Sequence, residues 1–204
     1  MVLLSATPQI YTHNIIYVNT ETRATAHLRV PSMGCNAAVD RVLQPGEVYV
    51  QSLRDDCMID RLTVDMGNRH VSLSRQAQYR GLYVIGPIKN DGHFDVGFYS
   101  YGSRGPLVGT LFLVNATGAS MRYHSEYHTL FCSTDRGDLR YGQTVELHLG
   151  ACETQLLYGH NIATGVGMSA RTNNYQGRTG RGTFVFRKRA GTDDQFEVVG
   201  PFRE

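Results

Sequence analysis

The feature that most constrains this chain is that it repeats itself. Ile15 to Asn19 (IIYVN) reads against Leu111 to Asn115 (LFLVN) at an offset of 96, and Gly46 in QPGEV reads against Gly142 in YGQTV at the same offset. The cysteines follow: Cys35 and Cys57 recur as Cys132 and Cys152, at offsets of 97 and 95. Short apolar runs recur by chance in any β protein, but chance does not also place two cysteines, so the pattern reads as a tandem duplication.

Within each repeat the apolar period is two. Phe94, Val96 and Phe98 fall on one face of an extended segment, as do Val145, Leu147 and Leu149. Similar runs cover 14–19, 47–53, 59–64, 82–86, 110–115, 183–188 and 195–199, bounded by Gly, Asn, Asp and Pro. No segment holds a 3.6-residue apolar period with recognisable caps. The expected fold is all-β: a tandem duplication of two small antiparallel β-sandwich units of about seven strands each. Gly and Ser replace the apolar runs near 99–106, which puts the boundary at 104, with units 1–104 and 105–204.

Net charge is only +2, too weak a field for a general nucleic-acid binder. No apolar run approaches the roughly 18 residues of a membrane-spanning helix. The first seven residues, MVLLSAT, lack the basic segment and apolar length of a secretory signal. The expectation is a protein that is intracellular, that has lost a leader, or that reaches a virion or the outside by lysis.

The cysteines admit three readings. Bridges Cys35–Cys57 and Cys132–Cys152 would close loops of about 20 residues and add roughly 3 kcal/mol each. Buried thiols fit duplication equally well. Zinc fits least, since no close Cys/His pair supplies ligand spacing. A chymotrypsin-like cysteine protease, resembled by the order His27, Asp60, Cys152, would need Cys152 as nucleophile and donors for an oxyanion. Glu153 beside it opposes that chemistry, and Cys57 already explains Cys152 as an inherited position. His124 and His128 would stand about 13 Å apart on a strand, too far to share a metal. No catalytic residue, metal or cofactor is assigned.

The most suggestive charged stretch runs from Ala170 to Gly191, where Arg171, Arg178, Arg181, Arg187, Lys188 and Arg189 meet no acidic residue. Arginine forks near Gly and Tyr suit an anionic glycan, a lipid headgroup or single-stranded nucleic acid. Basic residues also protect an edge strand from strand addition. The first repeat's Arg69, Arg75 and Arg80 extend the same tendency. Arg136 to Asp138 (RGD) and the acceptor sequence Asn115 to Thr117 (NAT) read as incidental tripeptides.

An apolar strand ending in Val-Asn, followed by PGEV or YGQTV and then a cysteine, resembles the opening of aegerolysin-type sandwiches. Leu111 to Gly165 is similar to actinoporin-like lytic proteins through VNATG at 114–118 and LLYG at 156–159. The resemblance covers about fifty residues. It implies a β-sandwich and lipid binding through exposed tryptophans, and this chain has no Trp.

These readings favour a non-enzymatic structural or binding protein. Duplicated surfaces suit self-association into a coat, filament or inclusion, with a lipid- or glycan-binding module as the alternative.

Overall fold

Period-two segments become strands when each face finds a partner. The computed structural model contains sixteen strands and, among the described residues, no helix. The structure describes residues 12–31, 38–54, 57, 59, 61–74, 81–101, 109–127, 132–150, 152, 154–171, 181–192 and 194–203. The expected boundary at 104 lies outside them.

The first unit carries β1 (Thr12–Asn19), β2 (Ala26–Val30), β3 (Val39–Leu43), β4 (Val48–Arg54), β5 (Arg61–Met66), β6 (Arg69–Ser74), β7 (Gly81–Ile85) and β8 (Val96–Ser100). The second carries β9 (Gly109–Ala116), β10 (Met121–Tyr127), β11 (Asp135–Leu139), β12 (Thr144–Gly150), β13 (Thr154–Asn161), β14 (Gly167–Arg171), β15 (Arg181–Lys188) and β16 (Phe196–Arg203). The first unit's sheets run β4-β1-β7-β8 and β3-β2-β5-β6, and the second's run β12-β9-β15-β16 and β11-β10-β13-β14. Strand n of the first unit thus occupies the place of strand n + 8 in the second, and the duplication holds in topology. Each unit has eight strands where about seven were expected. One pairing in each unit, β1 with β7 and β9 with β15, is parallel.

The four sheets stack as layers. Ile15 and Tyr17 of β1 point into a core shared with Leu28, Leu62 and Val64 of the first unit's outer sheet. Leu111, Leu113, Phe184 and Phe186 do the same against Tyr123, Leu139 and Leu157. The alternate residues of the same strands, Ile16, Val18, Leu82 and Val84 from one unit and Phe112, Val114, Ala116 and Val185 from the other, form a third core. The two inner sheets therefore pack on each other, and β1, β7, β9 and β15 are buried on both faces.

The packing is self-complementary. Ile16 and Phe112 are repeat mates, as are Val18 and Val114, and all four sit in the shared core. A Cβ added at Gly46 would lie 3.4 Å from Arg187 of the other unit, and one at Gly142 would meet Pro87. These contacts are reciprocal, because Gly46 matches Gly142 and Arg187 follows Phe186 as Gly86, before Pro87, follows Ile85. Thr22 and Gly118, mates at the offset of 96, touch each other: the Thr22 methyl is 2.8 Å from a Cβ built at Gly118. A residue meets its own mate only on a two-fold axis, so the units relate by a pseudo-two-fold, like an isologous dimer joined in one chain. Tyr101 and Thr183 bridge the units at 2.5 Å between hydroxyls, and Asn14 Nδ2 donates to the Arg203 carbonyl at 3.1 Å.

The Val-Asn signature is a folding tie. Asn19 is fully buried, and its Nδ2 donates to the carbonyls of Ala24 at 3.0 Å, Leu43 at 3.1 Å and Gln44 at 3.2 Å. Asn115 is equally buried and donates to Ala119 at 2.7 Å and Leu139 at 2.8 Å. Each side-chain oxygen accepts from the amide two residues on. The tripeptide at Asn115 is therefore structural, with its amide enclosed.

Candidate functional site

At the end of the stack where the pseudo-axis emerges, the β1–β2 loop, the β9–β10 loop and the β15–β16 hairpin enclose an open groove of about 600 Å³. That volume lies in the range of small-ligand sites. Arg23, Lys188 and Arg189 line it as exposed cations from two chain segments, and none makes an ion pair among the described residues. Glu21 and Asp194 are its acidic groups.

Two polar side chains in the lining are more than nine-tenths buried. Asn161 ends β13 and is 6% exposed. Its Oδ1 accepts from the amides of Ala163 at 2.8 Å and Thr164 at 3.3 Å, and its Nδ2 makes no hydrogen bond among the described residues. Glu21 is 8% exposed. One carboxylate oxygen accepts from the Ile88 amide at 2.5 Å, and the other has no donor among the described residues. The Glu21 carboxylate turns away from the groove's cations: its Cγ is 3.5 Å from a Cβ built at Gly86, and the carboxylate lies beside the Ile88 amide and Tyr141.

The pseudo-two-fold supplies an internal control. Leu28 pairs with Val64 as Tyr123 pairs with Gly159, so Met66 is the first unit's counterpart of Asn161. Met66 is 1% exposed, with its terminal methyl 3.8 Å from a Cβ built at Gly86. Pro45 answers to Tyr141, which packs beside Glu21 and Thr22; burial and the Glu21 carboxylate push its phenol up. Lys188 occupies the stretch that the first unit fills with Pro87 and Ile88, since the flanking turns begin at Lys89 and Arg189 respectively. Lys89 is neutralised by Asp95 at 2.6 Å, whereas Glu197, the counterpart of Asp95, is taken by Arg187 at 2.8 Å. One copy of this location thus carries Met66, Pro87 and Tyr141, and the other is open, cationic and carries Asn161.

The basic stretch read from sequence is divided by this geometry. Lys188 and Arg189 line the groove. Arg187 is half-buried, pairs with Glu197, and donates to the Gly46 carbonyl at 3.3 Å across the unit junction. Arg181 begins β15, seven residues or roughly 23 Å from Lys188 at strand rise, and Arg171 ends β14. Arg178, Arg75 and Arg80 lie outside the described residues. Sequence reasoning missed Arg23, Glu21 and Asn161. The exchange of Met66 for Asn161 across the repeat is the signal that could have found Asn161.

The other sequence candidates fall elsewhere. Cys132 and Cys152 form a disulfide with Cα atoms 5.9 Å apart, so the Cys152 sulfur presents no thiolate nucleophile. His27 lies on β2 with Nε2 2.5 Å from Asp40, in the other unit from Cys152, and Asp60 lies outside the described residues. Cys57 is buried, and Cys35 lies outside the described residues. His124 faces Glu126 and Tyr158, and His128 lies outside the described residues. No cluster of metal-ligating side chains occurs among the described residues. Arg136 to Asp138 is strand β11, not a loop, and Asp138 accepts two bonds from Arg122, at 2.6 and 3.1 Å.

No family model matches this chain, and no curated protein matches it. Among solved structures, a protein from Eubacterium rectale determined by NMR is 11% identical, covering 49% of this chain and 94% of its own, with a TM-score of 0.36. Likeness at that level carries no argument about function.

Proposed function

We propose that this protein is a non-enzymatic binding module that captures an anionic ligand in the groove between its units. The observation that carries the reading is the broken symmetry of one location. Duplication supplied two equivalent sites; one is filled by Met66, Pro87 and Tyr141, and the other presents Arg23, Lys188 and Arg189 to solvent. Where the first unit has Pro87 and a Lys89 neutralised by Asp95, the second leaves Lys188 and Arg189 without an ion pair among the described residues, with Arg23 beside them. An anionic ligand would neutralise that cluster.

Grafting the filled copy onto the open one tests the reading. The double variant Pro45→Tyr, Asn161→Met places the Tyr141 and Met66 equivalents at the groove. It should keep the fold and lose affinity for anions by an order of magnitude or more in calorimetric titration. Unchanged affinity in the folded variant would defeat the proposal.

Self-association is the second reading, favoured by one observation: the inner sheet face of a unit already makes an isologous contact, here with its own repeat. Chains that exchanged units would extend that contact into polymers. Light scattering separates the two, since a binding module stays discrete without ligand and an assembling subunit forms large particles.

A further inference from the structure

We infer that the end of the stack around the groove docks on an anionic phospholipid bilayer, with the groove's cations on lipid phosphates and neighbouring aliphatic side chains entering the interface. The inference rests on the anionic reading above and names where that anion resides. Five large apolar side chains are exposed among the described residues. Val42 and Tyr158 stand on strands of the outer sheets, whereas Ile88, Ile162 and Val166 stand on connections at this one end, each 38 to 43% exposed. Ile88 belongs to the β7–β8 connection, and its amide donates to Glu21 of the β1–β2 loop. Ile162 and Val166 belong to the β13–β14 turn, which begins at Asn161 in the groove lining.

The repeat shows that folding does not ask for the two aliphatics of that turn. The first unit closes the same turn with Gly67 and Asn68 alone, between the paired Met66 and Arg69. In the second unit the Asn161 amide donates to the Val166 carbonyl at 2.9 Å, so the turn holds Ile162 to Gly165, and Val166 stands where the first unit has Arg69. The longer turn is held by its own polar groups. Asn161 Oδ1 accepts from the Ala163 and Thr164 amides, the Asn161 carbonyl accepts from the Gly165 amide at 2.8 Å, and the Thr164 hydroxyl accepts from the Val166 amide at 3.3 Å. The Ile162 and Val166 side chains add nothing to that network, and water around them is unfavourable until an interface covers them. Arg23, Lys188 and Arg189 lie around the adjoining groove without an ion pair among the described residues and outnumber Asp194, the exposed acid of the lining. Lys89, on the connection that carries Ile88, is already neutralised by Asp95. Aliphatics on separate turns, with cations around the same groove, suit a fluid anionic interface, which accepts side chains at separate points. A protein partner is held instead by a packed centre of aromatic and arginine anchors.

Flotation of the full chain compares vesicles of phosphatidylcholine alone with vesicles that also contain phosphatidylglycerol, and calorimetry measures inorganic phosphate as the free anion. A basic residue near an anionic leaflet is worth about fivefold in binding, and a buried methylene about fourfold. The chain should therefore partition onto the anionic vesicles about tenfold or more over the neutral ones, and added salt should weaken that partition. The double variant Ile162→Ser, Val166→Ser changes exposed turn positions and should keep the parent's urea midpoint. It should weaken partition onto the anionic vesicles about tenfold or more and leave phosphate affinity unchanged, with each single variant showing part of the loss. Anionic-vesicle binding unaltered in the double variant would overturn the inference, as would binding of phosphate without binding of vesicles, and both results leave the anionic reading standing. Equal partition onto the two vesicle types would overturn it too, since lipid charge would then play no part. Binding of neither phosphate nor vesicles would overturn both readings.

Discussion

Replacing Asn115 by alanine isolates the tie that recurs in both repeats. The Asn115 amide donates to Ala119 and to the buried Leu139 carbonyl, and its oxygen accepts from the Thr117 amide at 3.0 Å and the Thr117 hydroxyl at 2.7 Å. Alanine leaves the Leu139 carbonyl without that donor in a site closed to water. Leaving one buried group unsatisfied costs about 1 to 3 kcal/mol, and loss of the partly buried bonds adds about 1 more, giving roughly 3 kcal/mol. With a urea m-value near 2 kcal/mol/M, the midpoint should fall by about 1.5 M. Asn19→Ala should cost a similar amount, because its three donated bonds close the same loop in the other unit. Asn115→Asp should be at least as damaging at neutral pH, since a carboxylate oxygen would then face two carbonyl oxygens. Urea denaturation followed by tyrosine fluorescence measures all three. Midpoints within 0.3 M of the parent for both alanine variants would refute the reasoning.

Three further outcomes follow from the same geometry. Phe112→Ala empties a fully enclosed position between the units, beside Tyr99 and Tyr101, and should cost about 3 to 5 kcal/mol by chemical denaturation. The double variant Cys132→Ser, Cys152→Ser opens a loop with a sequence separation of 20 and should lose about 3 kcal/mol, read as a lower urea midpoint. Tyr17 is pushed well above the usual phenol range by burial and by neighbouring Tyr83 and Tyr49. Its contribution is complete below the unfolded value near 10 and is lost as pH rises toward the folded value, so stability should decline above about pH 10. Tyr17→Phe lessens that decline, the remainder coming from Tyr123, Tyr127 and Tyr141, whose phenols burial also pushes up, and it costs about 1 kcal/mol at neutral pH through the lost bond to Gln51, as midpoints at several pH values will show.

What the sequence disclosed depended on which layer a strand occupies. All eight inner-sheet strands, β1, β4, β7, β8, β9, β12, β15 and β16, stand out in the chain. Four of them are apolar on both faces, and the others alternate clearly. Of the outer strands only β5 stands out. β2, β3, β6 and β11 are short and carry Arg, Asp and His on their solvent faces, as in the exposed Arg29, Asp40 and Arg69, so their apolar signal is weak, falling to the single Leu139 in β11. The parallel pairing of β1 with β7 leaves no local trace, because it joins segments some sixty residues apart. The site was half legible. Lys188 and Arg189 were visible as charge, but Asn161 stands out only through the Met66 it replaces, which the pseudo-two-fold reveals.

Backbone amide shifts of the labelled protein, titrated with inorganic phosphate, test the central claim most directly. The account predicts saturable shifts confined to Arg23, Gly46, Gly118, the Ala163 and Thr164 amides and the Lys188 to Thr192 hairpin, with the counterpart segment from Ile88 to Gly92 unmoved. Shifts that instead map to the outer sheets, or that appear equally at both copies of the location, would contradict it.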